Sequence, residues 1–463
     1  MNQKPLTNTG DFLPLAPPRM WTRGFLFICA IVTFLLMMIV REMSQLMEAE
    51  FSQLTWLVPF LAVSVLMAIR RLLLPSKPRR IRFFEDHVEI PRGRNSRRSH
   101  TTRYDEIRTI VPLSSRGQPA LVIDSPGRVH VLVASDFAHP ELWRVLWAQL
   151  MDRIQRRPGS MEQFHSMREL ANLSQQTSST SATFTKRLFW VIAAIFAAQY
   201  FLSPPVDILE YLYFGANSSV LVLESGQWWR VVTANLLHGN LLHIGVNGFA
   251  LYFLGTYCER LLGVPRTVVL VLGSGLVGAA ASMLGTPLFS VGISTAIFGL
   301  LGAYLAVHLR FGKELPPPYR QSRLWWTVIL VLNGLLSIGV PVIDGWGHFG
   351  GVVTGLALTL VMIRDQKTFI PRPPHGSITN FLAALLVALY AGASVFAVGY
   401  ALGDHPEDEI RIAQELLERS DEENPLMLLE MVRQWDLYQP QEERSSEISE
   451  ILRRLETNAR ERL

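Results

Sequence analysis

The chain has 463 residues, 49% of them apolar, and a formal net charge of only +4. The apolar residues gather in long blocks and the mean hydropathy is positive, which excludes an ordinary soluble enzyme and a chain built to coat nucleic acid. The two cysteines, Cys29 and Cys258, lie in or beside apolar blocks, so no disulfide framework is expected.

Nine blocks approach the ~20 apolar residues that a membrane-spanning helix needs: roughly 21–40, 54–74, 188–202, 236–257, 267–284, 294–309, 324–338, 348–363 and 381–402. Residues 1–20 read as an N-terminal tail and 21–74 as a two-span hairpin. The first block exceeds the ~7–15-residue apolar core of a secretory signal, and no small-residue cleavage site precedes Arg41-Glu42. It therefore reads as a retained span, and a bacterial cytoplasmic membrane is the simplest home for a multi-pass chain with no Arg-rich transit peptide. Arg70-Arg71 and Lys77-Pro-Arg-Arg80 crowd the end of the second block, while the 41–53 loop carries mostly glutamates. Lys and Arg favour the cytoplasm, which puts the N-terminus and residues 75–187 inside.

Residues 75–157 form a soluble island. Ile81-Arg-Phe-Phe, Val88-Glu-Ile, Leu121–Ile123 and Val129–Val133 read as strands, with Asp124-Ser-Pro-Gly127 as a hairpin turn. Leu142, Val145, Leu146, Leu150 and Ile154 mark one apolar face of a closing helix. Strands closed by a helix resemble a bacterial PH-like domain. The basic run Arg92-Gly-Arg-Asn-Ser-Arg-Arg98 suits a solvated loop beside a membrane or contact with anionic lipid. No aromatic platform interleaves it, so no nucleic-acid partner is expected. Residues 158–187 turn polar and read as a linker with one short helix near 161–173.

The core is expected over 188–364. Its first external loop, 203–235, is too apolar to be merely solvated, and Gln227-Trp-Trp-Arg230 fits an interfacial segment. Trp229 and Arg230 read there as an ordinary aromatic belt. Next come His238 and the pair His243 and Asn247, four apart and hence neighbours on one helix face. Both members of the pair can donate hydrogen bonds without carrying charge, as an oxyanion hole requires. His238, His243 and His348 could instead ligate zinc, but no carboxylate or cysteine completes four ligands, so neither metal nor cofactor is expected.

Gly292-Ile-Ser294-Thr-Ala-Ile-Phe298 opens an apolar helix. A serine there suits helix capping, and it also suits nucleophilic attack if a base is adjacent. Gly347-His348-Phe-Gly-Gly351-Val-Val-Thr-Gly355 opens another helix. Neutral imidazole is such a base, and glycines one turn apart allow helices to approach closely.

Trp229-Arg230, His243-x-x-x-Asn247, Gly292-x-Ser294 and His348-x-x-Gly351-x-x-x-Gly355 together resemble the rhomboid family of intramembrane serine proteases, in order and spacing, from about Arg187 to Arg364. The resemblance implies a six-helix bundle and a Ser294–His348 dyad that cleaves transmembrane protein substrates. It further implies His243 and Asn247 at the oxyanion, Phe298 packed on the imidazole, a structural role for Trp229-Arg230, and a lateral gate at Trp325 and Trp326. Asp344 is a possible triad acid by position, yet the family uses a dyad. Thr295 departs from the glycine that the family usually places after the nucleophile. The rival reading is therefore an inactive rhomboid-like protein that binds transmembrane clients; a transporter is disfavoured because no internal repeat is visible.

Residues 365–403 supply a connector and one more span, and 404–463 an acidic helical appendage. Ile410, Ala413, Leu416 and Leu417 line one helix, and Ile448, Ile451, Leu452 and Leu455 another. The expected fold class is an all-α polytopic membrane protein of about nine spans, carrying a small α+β cytoplasmic domain and a C-terminal helical region. Its expected partners are membrane lipids and transmembrane substrates; the sequence sets no oligomeric state.

Overall fold

The computed structural model describes residues 12–15, 80–92, 98–115, 117–125, 128–178, 181–202, 211–212, 214–285, 289–312, 314–321, 325–329, 331, 333–334, 343–403, 406–418 and 446–461. They divide into two compact units, Met1–Gln175 and Gln176–Leu463, taken here one at a time.

The first unit holds two antiparallel sheets. β1 (Phe12–Pro14), β2 (Arg80–Phe83), β3 (His87–Pro91) and β4 (Ser99–Arg103) form one in that order; β5 (Thr109–Ser115), β6 (Gln118–Ser125) and β7 (Arg128–Val133) form the other. Alternation sends Ile81, Phe83, Val88 and Ile90 inward, where they meet Leu146, Leu150 and Ile154 of helix α1 (Leu142–Gln155). The β6–β7 hairpin closes at Ser125↔Arg128, at the expected Asp124–Gly127 turn.

Three strands are additions to the sequence reading. β1 has three residues, and β4, Ser-His-Thr-Thr-Arg, has no apolar alternation to announce it. β5 is interrupted by Pro112. The pairing of Leu13 with Ile81 means that the N-terminal tail is part of this sheet. The blocks at 21–40 and 54–74 lie outside the described residues. Arg92 N–H donates to the Arg98 carbonyl at 2.9 Å, joining the ends of β3 and β4; the rest of the basic run, 93–97, lies outside the described residues. Much of the polar stretch read as linker is helix α2 (Ser160–Ser178).

In the second unit, helix α3 (Thr183–Leu202) is followed, among the described residues, by five helices long and apolar enough to cross a membrane. These are α4 (Leu241–Leu262), α5 (Val264–Ser282), α6 (Ser294–Phe311), α7 (Gly345–Met362) and α8 (Ser377–Ala401). The block expected at 324–338 is described only in part, with helix at 325–329. α4 begins later than expected because short turns occupy 230–236 and Asn240 caps the helix, its side chain accepting from His243 N–H at 2.8 Å. α7 begins earlier, capped by Asp344. At the far end of α4 the buried Glu259 carboxylate accepts from the backbone N–H groups of Phe184 (3.1 Å) and Thr185 (2.9 Å), satisfying the free start of α3.

α6 and α7 meet backbone to backbone. A Cβ added at Gly351 would lie 2.1 Å from the Thr295 carbonyl oxygen, and one at Gly355 1.9 Å from that of Gly299. Only glycine permits this approach. Two helices, α9 (Pro406–Glu418) and α10 (Ser446–Glu461), complete the described chain and pack together. The buried face of α9 includes Ile412, which the expected stripe omitted, together with Ala413 and Leu417.

Candidate active site

The close packing of α6 on α7 sets the site. Ser294 is the first residue of α6, and His348 lies in the first turn of α7. With the two axes held together by Gly351 and Gly355, His348 Nε2 sits 2.9 Å from Ser294 Oγ. The Phe298 ring, one turn along α6, stacks on the imidazole at 4.0 Å between centroids and 18° between planes. His348 Nδ1 has no hydrogen-bond partner among the described residues. Asp344 instead accepts from Gly347 N–H at 2.7 Å, so it caps α7 and makes no hydrogen bond to the ring.

The opposite wall comes from α4. Gly292 has φ +121°, a conformation only glycine adopts readily, and an added Cβ would lie 2.8 Å from His243 Cε1 and Nε2 and 3.4 Å from Asn247 Nδ2. The chain leading into Ser294 is thus pressed directly against both residues. His243 Nδ1 accepts from Gly239 N–H at 3.4 Å, and this partner assigns the ring proton to Nε2, on the side of Gly292. Asn247 is buried and its Nδ2 has no partner among the described residues. Two donors therefore face one place beside the serine.

His238 is fully buried and meets the His243 ring at 5.2 Å, edge to face. No cluster of three or more His, Cys, Asp or Glu suited to a metal occurs among the described residues. Trp326 is buried against Tyr304 at 5.3 Å, and Trp325 lies 6.3 Å from the same ring.

Arg230, 1% exposed, donates to Gln227 Oε1 at 2.6 Å, to the Leu212 carbonyl and to the Ala216 carbonyl at 3.3 Å. Its guanidinium lies 4.6 Å over the Trp229 ring, and that ring packs on Phe396 and Tyr400 of α8. This pair ties the segment before α4 to α8.

Thr295 sits in ordinary helical geometry within α6. Its Oγ1 donates to Asn235 Oδ1 at 2.8 Å, and a Cβ added at the facing Gly278 would lie 2.7 Å from Thr295 Cβ. The methyl and hydroxyl fill a space between α5 and the 234–236 turn. Sequence reasoning had no access to Asn235, which belongs to no recognisable motif. Thr295→Gly is expected to lose about 1–3 kcal/mol of stability, the usual cost of stranding a buried hydrogen-bond partner, and to change turnover by less than about tenfold. Thermal unfolding in detergent together with a cleavage assay checks this; undiminished stability with faster turnover would contradict it.

Residues 225–365 match the rhomboid domain family. The chain is 37% identical over 142 residues to "Rhomboid protease GluP" of Bacillus subtilis, an alignment covering 31% of this chain and 27% of that one. It is 29% identical over 187 residues to "Putative rhomboid protease YdcA" of the same organism, covering 39% and 92% respectively. Over 174 residues it is 36% identical to "RHOMBOID-like protein 5" of Arabidopsis thaliana, covering 36% of this chain and 54% of that relative. The matched segment thus spans about a quarter of GluP and about half of the plant protein. The order of motifs, the glycine-tight helix pair and these similarities together mean that residues 225–365 are a rhomboid domain.

Proposed function

We propose that the chain is an intramembrane serine endopeptidase that cleaves transmembrane segments of other membrane proteins through a Ser294–His348 dyad. The observation that carries this reading is the 2.9 Å approach of His348 Nε2 to Ser294 Oγ with the imidazole held flat by Phe298. Neutral His348 takes the serine proton as Oγ attacks the substrate carbonyl carbon. The resulting oxyanion receives hydrogen bonds from His243 Nε2–H, Asn247 Nδ2 and Ser294 N–H, with the start of α6 adding a favourable dipole. His348 then gives its proton to the leaving amine. In the second half it takes one from water, whose oxygen attacks the acyl carbon, and returns it to Ser294 Oγ as the acyl–oxygen bond breaks. No step requires a cofactor.

The charge asymmetry of the sequence places the serine end of α6 outside, so cutting falls near the outer face. A peptide bond must leave a helix to be attacked, which favours substrates with small or helix-breaking residues there. The two antiparallel sheets and closing helix of the first unit support its reading as PH-like. The inactive alternative rests on Thr295, and the ordinary helical geometry of that residue favours the active reading.

The test is cleavage of a model transmembrane substrate in cells. The outer fragment should be released by the natural chain and not by Ser294→Ala at equal expression. Equal release by both would end the serine-protease reading.

A further inference from the structure

The C-terminal helices α9 and α10 lie outside the segment that matches the rhomboid domain, yet three separate lines connect them to the site. The first is apolar. Ile412 and Ala413 of α9, with Ile448, Ile451, Leu452 and Leu455 of α10, form one core with Tyr211, Leu212 and Leu221 of the external loop, and Phe289 and Val291 pack against it. Val291 is bonded directly to Gly292, whose backbone presses on His243 and Asn247.

The second line runs through Tyr211. Its ring stacks on Phe289 at 5.8 Å and 11°, and its hydroxyl donates to the Gly239 carbonyl. Gly239 N–H is the group that donates to His243 Nδ1. The C-terminal core thus holds Gly239, the residue whose N–H meets the His243 ring.

The third line is ionic. Asp408, at the start of α9, accepts from Gln227 Nε2 at 2.9 and 2.8 Å through its two oxygens, and Tyr400 also donates to it. Gln227 passes the contact on, since its Oε1 accepts from the buried Arg230. A buried guanidinium with no carboxylate nearby is costly, and Asp408 supplies the compensating charge one side chain away.

We propose that the α9–α10 pair is part of the catalytic scaffold, a brace that holds the external loop and the 289–291 approach in register with the oxyanion site, with Asp408 as a positioning residue. This rests on the protease reading above. Misplacing such donors by about 1 Å can cost up to about 10²-fold in rate. A brace of this kind acts on turnover more than on substrate binding, because the donors it aligns matter where charge develops.

The experiment compares the full-length natural chain with Asp408→Asn, Asp408→Glu and Ile451→Asp, each purified in detergent and checked for folding by thermal unfolding. kcat and KM are measured separately on one transmembrane substrate. Asp408→Asn should fold and lose about tenfold in kcat with KM within about twofold, Asp408→Glu should recover most of the loss, and Ile451→Asp should lose more than Asp408→Asn. If Ile451→Asp fails to fold, Leu455→Ala takes its place. Unchanged kcat in folded Asp408→Asn and in the folded α10 variant would overturn the inference, as would a lowered melting temperature with normal kcat. An inactive natural chain would instead count against the protease reading, so the two failures are distinguishable.

Discussion

His348→Ala is expected to lower turnover by about 10²–10⁴, the range that a positioned acid–base group supplies, while KM stays within about twofold. Ser294 would keep its place at the head of α6, because that place is set by the α6–α7 glycines and by Gly292, none of which the histidine supports. What is lost is the acceptor 2.9 Å from Oγ. No described residue can replace it: Asp344 caps α7 through Gly347, and Nδ1 of the native ring has no hydrogen-bonded carboxylate to inherit the role. Steady-state cleavage with separate kcat and KM is the check. A loss under about tenfold would mean that the proton goes elsewhere.

Gly355→Val is expected to damage the fold itself. An added Cβ would lie 1.9 Å from the Gly299 carbonyl oxygen, 2.6 Å from the Gly299 carbonyl carbon and 2.7 Å from its Cα, all backbone atoms of α6. Backbone cannot swing aside as a side chain can, so the helices must separate, at a cost of about 3 kcal/mol or more, the upper end for overpacking. Separation also moves Ser294 from His348, so activity should fall in whatever protein remains folded. Gly392→Val in α8 is the control, since nothing lies within 4 Å of its added Cβ. Melting temperatures measured in detergent decide the matter: a large drop for position 355 and little for 392 is predicted, and equal shifts would contradict the account.

Both positions were legible in the sequence because their chemistry repeats at helical spacing. His348, Gly351 and Gly355 occupy one face of one helix, and His243 and Asn247 occupy another. Among the described residues, long apolar runs placed the helices to within a few residues, and the errors at the starts of α4 and α7 came from the caps Asn240 and Asp344, which a hydropathy pattern does not register. Beyond the pairs that the motifs join, contacts between segments distant in sequence were not legible. The Thr295–Asn235 hydrogen bond joins residues sixty apart, and Gln227 meets Asp408 across 181 positions. Neither pair has periodicity or motif to announce it. β1 escaped for a related reason, since three residues carry too little pattern to be read as a strand until their partner, β2, is known.

The most direct measurement is labelling of the purified natural chain with a serine-reactive fluorophosphonate, followed by identification of the modified residue. It needs no knowledge of the substrate and reports only on whether a serine is activated. The account predicts modification at Ser294, none in Ser294→Ala, and strongly slowed modification in His348→Ala. Folded natural protein that stays unlabelled, or a label carried by another serine, would contradict it.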